Sequence, residues 1–181
     1  MIAELFEKII DEWRSSYKNR FHPFKYVTLT TVDDQGFPRS RTVVIREVHE
    51  NHDIIIFTDA RSNKVSQLGS HPKTCILAYN PKKLEQLRWD GQLSIISDKS
   101  EIKRLFQKVG QKALKDYTTL NPPGSEINNP DEVEYLPRKK SHFVALRFIP
   151  ERLEYLKLKR PNHLRVLFCK EENWGGKWLT P

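Results

Sequence analysis

One stretch constrains the fold more than any other: residues 41–64, RTVVIREVHENHDIIIFTDARSNK. It reads as a strand, a turn, a second strand and the start of a helix. The first strand, Arg41 to Arg46, is β-branched in its middle and carries a guanidinium at each end. Alternation along a strand sends those two guanidiniums to opposite faces, so one of them is free to meet a ligand. The second strand, Ile54 to Thr58, runs into Asp59-Ala60-Arg61-Ser62-Asn63-Lys64, where Ser62 is a candidate helix N-cap with a lysine two residues on. Orphan backbone N–H groups at a helix start, beside Lys and Arg, suit a phosphate. An ordinary hairpin with solvated arginines is the competing reading of the same residues.

On both sides of this stretch the alternation continues. Residues 26–33 read as a half-buried strand, and Asp34-Gln35-Gly36 turns the chain into a long strand from Phe37 to Val48. With Ile54 to Thr58 this predicts a three-strand meander, both edges of its middle strand paired. Ser62 to Leu68 then reads as a short helix with Gly69 at its C-cap, ended by Pro72. Strands are expected at Lys73 to Tyr79, at Leu84 to Ser97 with a bulge or bend at Gly91, at His142 to Ile149, at Arg152 to Leu158 and at Leu164 to Cys169, with a last one at Trp174 to Leu179. Two further helices are predicted. One covers residues 2–14, with Ile2, Leu5, Phe6, Ile9, Ile10 and Trp13 on one stripe; the other starts at the box Asp98-x-x-Glu101 and runs to about Tyr117. Residues 118–141, rich in Pro and Asn, form a long irregular loop. Many antiparallel strands with a few helices predict a mainly β fold, an antiparallel closed or split β-barrel, built as one domain over residues 1–181.

Composition narrows the class. Hydrophobic residues at 38% and charged residues at 30% describe a water-soluble chain, and no apolar run reaches the roughly 20 residues of a membrane span. The start, MIAELFEKIIDEW, has neither a basic leader nor a small-residue cleavage site, and the two cysteines, Cys75 and Cys169, sit in apolar strands as buried thiols; a cytoplasmic setting is expected. A net charge of +8 admits anionic partners from a phosphorylated cofactor to nucleic acid. The basic residues are scattered, largely over Lys99 to Lys115, Arg138 to Lys140 and Lys157 to Arg160, with no nucleic-acid-binding signature, so a basic nucleic-acid module ranks last. The six histidines show no paired metal spacing, and no metal is expected.

The Arg-x-Val-x-x-Arg strand, Phe57-Thr58, Ser62-x-Lys64, Glu85-Gln86, His163-Leu164-Arg165 and the closing Trp178-Leu179-Thr180-Pro181 together resemble the pyridoxamine 5'-phosphate oxidase-related, FMN-binding family, over most of the chain from about Phe24. The resemblance implies a split-barrel flavoprotein. It places Arg41, Ser62 and Lys64 at the FMN phosphate, the backbone of Thr42, Val43, Val44 and Ile45 along the ring, Phe57 and Thr58 beside ribityl and ring, and Gln86 and Arg165 at the flavin's polar groups. Tyr155 stands in for a family tryptophan that covers the flavin. In the family the two groups come from different subunits, so a homodimer with FMN at its interface is implied, with a small-molecule substrate. Asn63 replaces a usual arginine, for which Arg61 is a nearby substitute; Trp174 and Trp178 read as core or interface residues.

On the substrate side Arg46 replaces a lysine and His163 alone remains of an Arg-x-His pair, while Lys108 and Lys112 are candidate replacements for missing phosphate partners. The implied activity is that of an FMN-dependent oxidoreductase like pyridoxamine 5'-phosphate oxidase. An FMN-dependent reductase using a nicotinamide nucleotide and a non-catalytic FMN carrier share the same cofactor motif.

Overall fold

A computed structural model describes residues 1–137 and 140–181; Arg138 and Lys139, part of the expected loop and of one basic cluster, lie outside the described residues. The elements in chain order are α1 (Ile2–Ser15), β1 (Tyr26–Val32), β2 (Pro38–Val48), β3 (Ile54–Asp59), α2 (Asn63–Ser70), β4 (Lys73–Asn80), β5 (Glu85–Ile95), α3 (Lys99–Gln107), β6 (Phe143–Lys157), β7 (Leu164–Cys169) and β8 (Gly175–Trp178). All strand pairings are antiparallel. The order is β3-β2-β1-β4-β5-β6-β7-β8, and an added β3–β6 pairing closes the first six strands into a barrel. Strands β7 and β8 continue outward from β6 as a flap.

Alternation fills the interior. Val27 and Leu29 of β1, Val43 and Ile45 of β2, Ile54 and Ile56 of β3, Leu87 and Trp89 of β5, and Leu153 and Tyr155 of β6 share one core. Helix α1 lays its stripe on it: Trp13 is completely buried, 5.5 Å from the Trp89 ring, and Phe6 packs on Phe168 at 4.9 Å and on Trp174 at 5.7 Å. Trp174 thus packs, partly buried, against the core, whereas Trp178 is half exposed. A second, smaller cluster lies outside the barrel wall, where Ile102 and Leu105 of α3 cover Ile55, Phe57, Phe143 and Ala145.

Several elements depart from the expected bounds, each for a tertiary reason. The strands expected at His142 to Ile149 and Arg152 to Leu158 are one 15-residue strand, β6, bent through Pro150. Its first half pairs with β3 and its second with β7, and β5 runs along both. The partner of that bend is the register shift at Asp90/Gly91, where a Cβ on Gly91 would sit 2.2 Å from the Ile149 carbonyl oxygen. Only glycine lets the two backbones approach so closely. Helix α3 stops at Gln107, before Gly110, in place of reaching Tyr117; a separate 3-10 turn, Ala113–Tyr117, carries Tyr117 back to the wall. The Asp98 carboxylate accepts from the Glu101 N–H at 2.7 Å, as its cap position predicts. Gly69 is inside α2, whose C-cap is His71. Both cysteines are free and only half-buried. No described helix is long and apolar enough to cross a membrane.

Candidate functional site

Where side chains of β1, β2 and β3 meet those of α2, cations, hydroxyls and an amide cluster. Arg41 pairs across from Leu29, so its side chain falls on the interior face; its Nη1 donates to the Leu29 carbonyl at 3.2 Å and to Thr31 Oγ1 at 2.7 Å. Its Nη2 stands 3.5 Å from Gln67 Oε1, and Thr31 Oγ1 donates to the same oxygen at 2.5 Å. Lys64 comes from the first turn of α2 and donates to Thr58 Oγ1 at 2.9 Å. Ser62 occupies the N-cap position, yet its hydroxyl makes no cap bond: it donates to the Asp59 carbonyl at 2.8 Å and lies 3.2 Å from Thr58 Oγ1. The first N–H groups of α2 are therefore left without a side-chain cap.

The electrostatics are those of a receptor for an anion. Among the described residues neither Arg41 nor Lys64 has a carboxylate partner. Burial pushes the Lys64 ammonium below its ordinary pKa and the nearby Arg41 charge pushes it further the same way, while the Asp59 carboxylate, itself bonded to Arg61, pushes back more weakly; burial also lowers Arg41. Two half-buried cations that repel each other are cradled by hydroxyls and a carbonyl, and an anion between them offsets the repulsion and part of the cost of burial. Thr31 and Gln67 belong to this pocket and escaped the motif reading. Gln67 follows Lys64 by three residues on α2, the spacing that puts two side chains on one helix face.

Beside the pocket the barrel wall opens. Strand β2 pairs with β1 from Pro38 to Val44 but with β3 only from Ile45 to Val48, with a register shift between Ile45 and Glu47. The β3-facing backbone edge of Arg41 to Val44 thus has no ladder partner, which corrects the expectation that both edges of β2 are paired. Buried backbone groups need partners, and a notch of this kind offers them to a flat polar ring. Val43 points into the core, whereas Thr42 and Val44 point outward. Phe57 lies on the outer face, with the Arg46 guanidinium 5.4 Å from its ring centre. Arg46 has no carboxylate partner either, and its Nε is buried without a hydrogen bond.

A second group lies on the outer face of β5, β6 and β7. Gln86 is opposite Leu156, and Leu156 is opposite Arg165, so the three share one row. Tyr155 does not join them. It is one residue along β6, and so on the interior face, 4% exposed, with its hydroxyl 3.1 Å from Glu85 Oε1. A slip of one residue on a strand swaps faces, and the position that stands beside Gln86 and Arg165 is aliphatic Leu156. The flavin-covering role expected of Tyr155 is withdrawn on that ground.

In the closed order β5 is separated from β2 by β1 and β4 in one direction and by β3 and β6 in the other. Gln86 and Arg165 therefore stand across the barrel from Arg41 and Lys64 of the same chain. His163 lies with the Arg165 group, in the β6–β7 turn, its Nδ1 accepting the Lys159 N–H at 3.0 Å, while Arg46 lies with the β2 group.

Two candidate substitutes are committed elsewhere. Arg61, expected to reach the phosphate in place of Asn63, is held by both Asp59 oxygens at 2.7 and 3.0 Å and donates to the Thr119 and Leu120 carbonyls at 2.9 Å. It anchors the start of the long loop. Lys108 donates to Glu47 at 2.5 Å, next to Arg104 at 2.8 Å, and Lys112 lies beyond the end of α3 at the start of the 3-10 turn.

The comparisons identify the family and the fold. Residues 4–97, a little over half of the chain, match the model of the pyridoxamine 5'-phosphate oxidase, FMN-binding domain family. The chain is 29% identical over 174 residues to pyridoxine/pyridoxamine 5'-phosphate oxidase 2 of Arabidopsis thaliana, covering 86% of this chain and 87% of that protein. Against pyridoxine/pyridoxamine 5'-phosphate oxidase of Pelagibacter ubique it is 24% identical, covering 98% and 90%. Its fold is similar to that of a pyridoxamine 5'-phosphate oxidase-related, FMN binding protein from Nostoc punctiforme, with a TM-score of 0.76 at 25% identity over 97% of this chain and 96% of that one. PhzG from Burkholderia lata, solved with tetrahydrophenazine-1-carboxylic acid, shares the fold with a TM-score of 0.77 at 18% identity over 97% and 92%.

Proposed function

Because the chain belongs to the pyridoxamine 5'-phosphate oxidase FMN-binding domain family, we propose that it is an FMN-dependent oxidoreductase working as a homodimer with flavin at the subunit interface. The observation that carries the reading is the pair Arg41 and Lys64, half-buried among hydroxyls and, among the described residues, without an ion pair to a carboxylate. A phosphate dianion supplies the missing negative charge, and charge-assisted bonds from both cations and the free N–H groups of α2 hold it. The open backbone edge of Thr42, Val43 and Val44 and the neighbouring Phe57 then flank the ring.

The strand order puts Gln86, Leu156 and Arg165 on the opposite side of the barrel from that ring, which supports a site completed by the partner subunit's Gln86 and the partner subunit's Arg165. Bound there, FMN supplies a two-electron acceptor, and the residues of the chain position it and its substrate. Arg46 is the cation that meets an anionic substrate beside the ring, and His163, its Nδ1 occupied by the Lys159 N–H, offers Nε2–H as a donor. The two free cysteines fit a reducing, cytoplasmic setting.

Titration of the protein with FMN and with riboflavin, followed by flavin absorbance, tests the reading: FMN binds and riboflavin binds far more weakly. Equal affinity for the two would remove the phosphate pocket from the site.

A second reading of the substrate is favoured by Lys108, which is committed to the Glu47 carboxylate. With this cation engaged, the oxidase's phosphate clamp is incomplete, which favours an FMN-dependent reductase fed by a nicotinamide nucleotide. Anaerobic mixing of the FMN-loaded protein with NADPH or with pyridoxamine 5'-phosphate separates the two by which one bleaches the flavin.

A further inference from the structure

On the outer face of β5, β6 and β7 one carboxylate serves two guanidiniums. Glu154 Oε1 lies 3.1 Å from both Nε and Nη2 of Arg165, and Oε2 accepts from Arg88 Nη2 at 3.1 Å. Glu154 is 6% exposed, while the two arginine side chains are about one-third exposed, at 38% for Arg88 and 34% for Arg165. Arg165 reaches it diagonally: it pairs across from Leu156, one row away, with Gln86 on the far side of Leu156. Arg165 also lies 3.4 Å from the Thr180 carbonyl, so its guanidinium is fixed on two sides.

We propose that Glu154 is a positioning residue for the flavin: it holds the Arg165 guanidinium in the row of Gln86 and sets, in competition with Arg88, how much positive charge that guanidinium presents to the ring. The inference rests on the placement of the ring against Gln86 and Arg165. Reduction adds negative charge to the ring system, and a cation beside it favours the reduced form. A carboxylate bonded to that cation cancels part of the effect. Arg88 draws on the same carboxylate from the other side, which restores part of it. The three side chains thus form a balance whose setting is the reduction potential of the bound flavin, while Arg165 keeps one orientation throughout.

The test is the midpoint potential of the FMN-loaded protein, measured by reductive titration against a reference dye. Glu154→Gln keeps the shape and removes the charge, and it shifts the potential positive, by about tenfold in the preference for reduced over oxidised flavin, or about 30 mV for a two-electron couple. Arg88→Gln leaves Glu154 to Arg165 alone and shifts the potential negative; the double variant falls between the two. An unmoved or negative potential in Glu154→Gln overturns the proposal, including the case where its melting temperature falls and the potential stays put. Should Glu154→Gln fail to fold, the sign of the Arg88→Gln shift decides: an unmoved or positive potential there is fatal. Arg165→Ala separates this inference from the site on which it rests. If that variant leaves both FMN affinity and potential unchanged, the ring is not against Arg165. If it moves them while the Glu154 and Arg88 variants do not, only the balance fails.

Discussion

Two pairs of cations on this barrel have the same composition and opposite surroundings. Arg104 and Lys108, at the end of α3, close on the Glu47 carboxylate at 2.8 and 2.5 Å, with His49 at 3.1 Å on its other oxygen. Arg41, on β2, and Lys64, at the start of α2, bond to hydroxyls and a carbonyl, and among the described residues neither forms an ion pair with a carboxylate. The first pair is more exposed and shares a carboxylate, with Arg104 side chain 45% and Lys108 54% exposed; the second is half-buried and, among the described residues, has no ion pair of its own. A carboxylate between two cations makes a brace. Its absence, where burial already disfavours the charges, makes a receptor, because only a ligand can supply the counter-charge.

The largest expected effect concerns the substrate. A second phosphate, that of pyridoxamine 5'-phosphate, needs cations as uncommitted as Arg41 and Lys64, and on the substrate side Arg46 meets that condition while Lys108 does not. Each charge-assisted partner contributes roughly 1.5–3 kcal/mol, so two missing ones weaken binding by about a hundredfold or more. The specificity constant for pyridoxamine 5'-phosphate is expected to lie at least that far below a dedicated oxidase's. Steady-state oxygen consumption measures it, and a comparable constant would restore the oxidase reading and break the contrast between braced and free cations.

Next in size is the loss of a receptor cation. Lys64→Ala is expected to cost FMN roughly 1.5–3 kcal/mol, ten- to over a hundredfold in affinity, whereas Lys108→Ala leaves FMN affinity unchanged. Equal losses in the two titrations would erase the distinction. Mixed Lys64→Ala and Arg165→Ala subunits sharpen it further: random exchange between two-fold dimers regenerates roughly a quarter of the sites intact. Demonstrated exchange with no recovered FMN binding would put the whole site in one chain.

Local chemistry made much of the fold legible. The stripe of α1, the alternation of β1 and β2, the Asp98 cap and the bend at Gly91 are each decided within a few residues, and each stands where its residues place it. What escaped depends on partners distant in sequence. The two halves of β6 have different neighbours, so Pro150 reads as a break although β5 bridges it. Tyr155 and Leu156 differ by one position, and only pairing with Gln86 says which one faces outward. Arg61 and Lys108 looked available because the carboxylates that claim them, Asp59 and Glu47, can be assigned only once the chain is folded. The receptor cations were legible for the converse reason: Arg41 and Lys64 sit on a strand and a helix start whose geometry the local sequence already sets.

The smallest effect tests the brace by pH. Burial alone would push the Glu47 carboxyl up, but its bonds to Arg104, Lys108 and His49 outweigh burial and hold it at about 2, below its ordinary 4.5. A carboxylate whose pKa falls on folding stabilises the fold at every pH above its unfolded value. That contribution is lost as the pH drops through the window from about 4.5 to about 2, because the folded protein takes up its proton later than the unfolded chain does. The partners are half exposed and screened, which discounts the contribution to about 1–2 kcal/mol. Urea unfolding at pH 7 should therefore find Glu47→Gln less stable than the wild type by about that amount, and the difference should shrink steadily as the pH is lowered through the window. FMN affinity at pH 7 stays the same in this variant, since the brace and the receptor share no residue. A stability gap that persists undiminished at pH 2 would mean that Glu47 acts through packing and not through its charge.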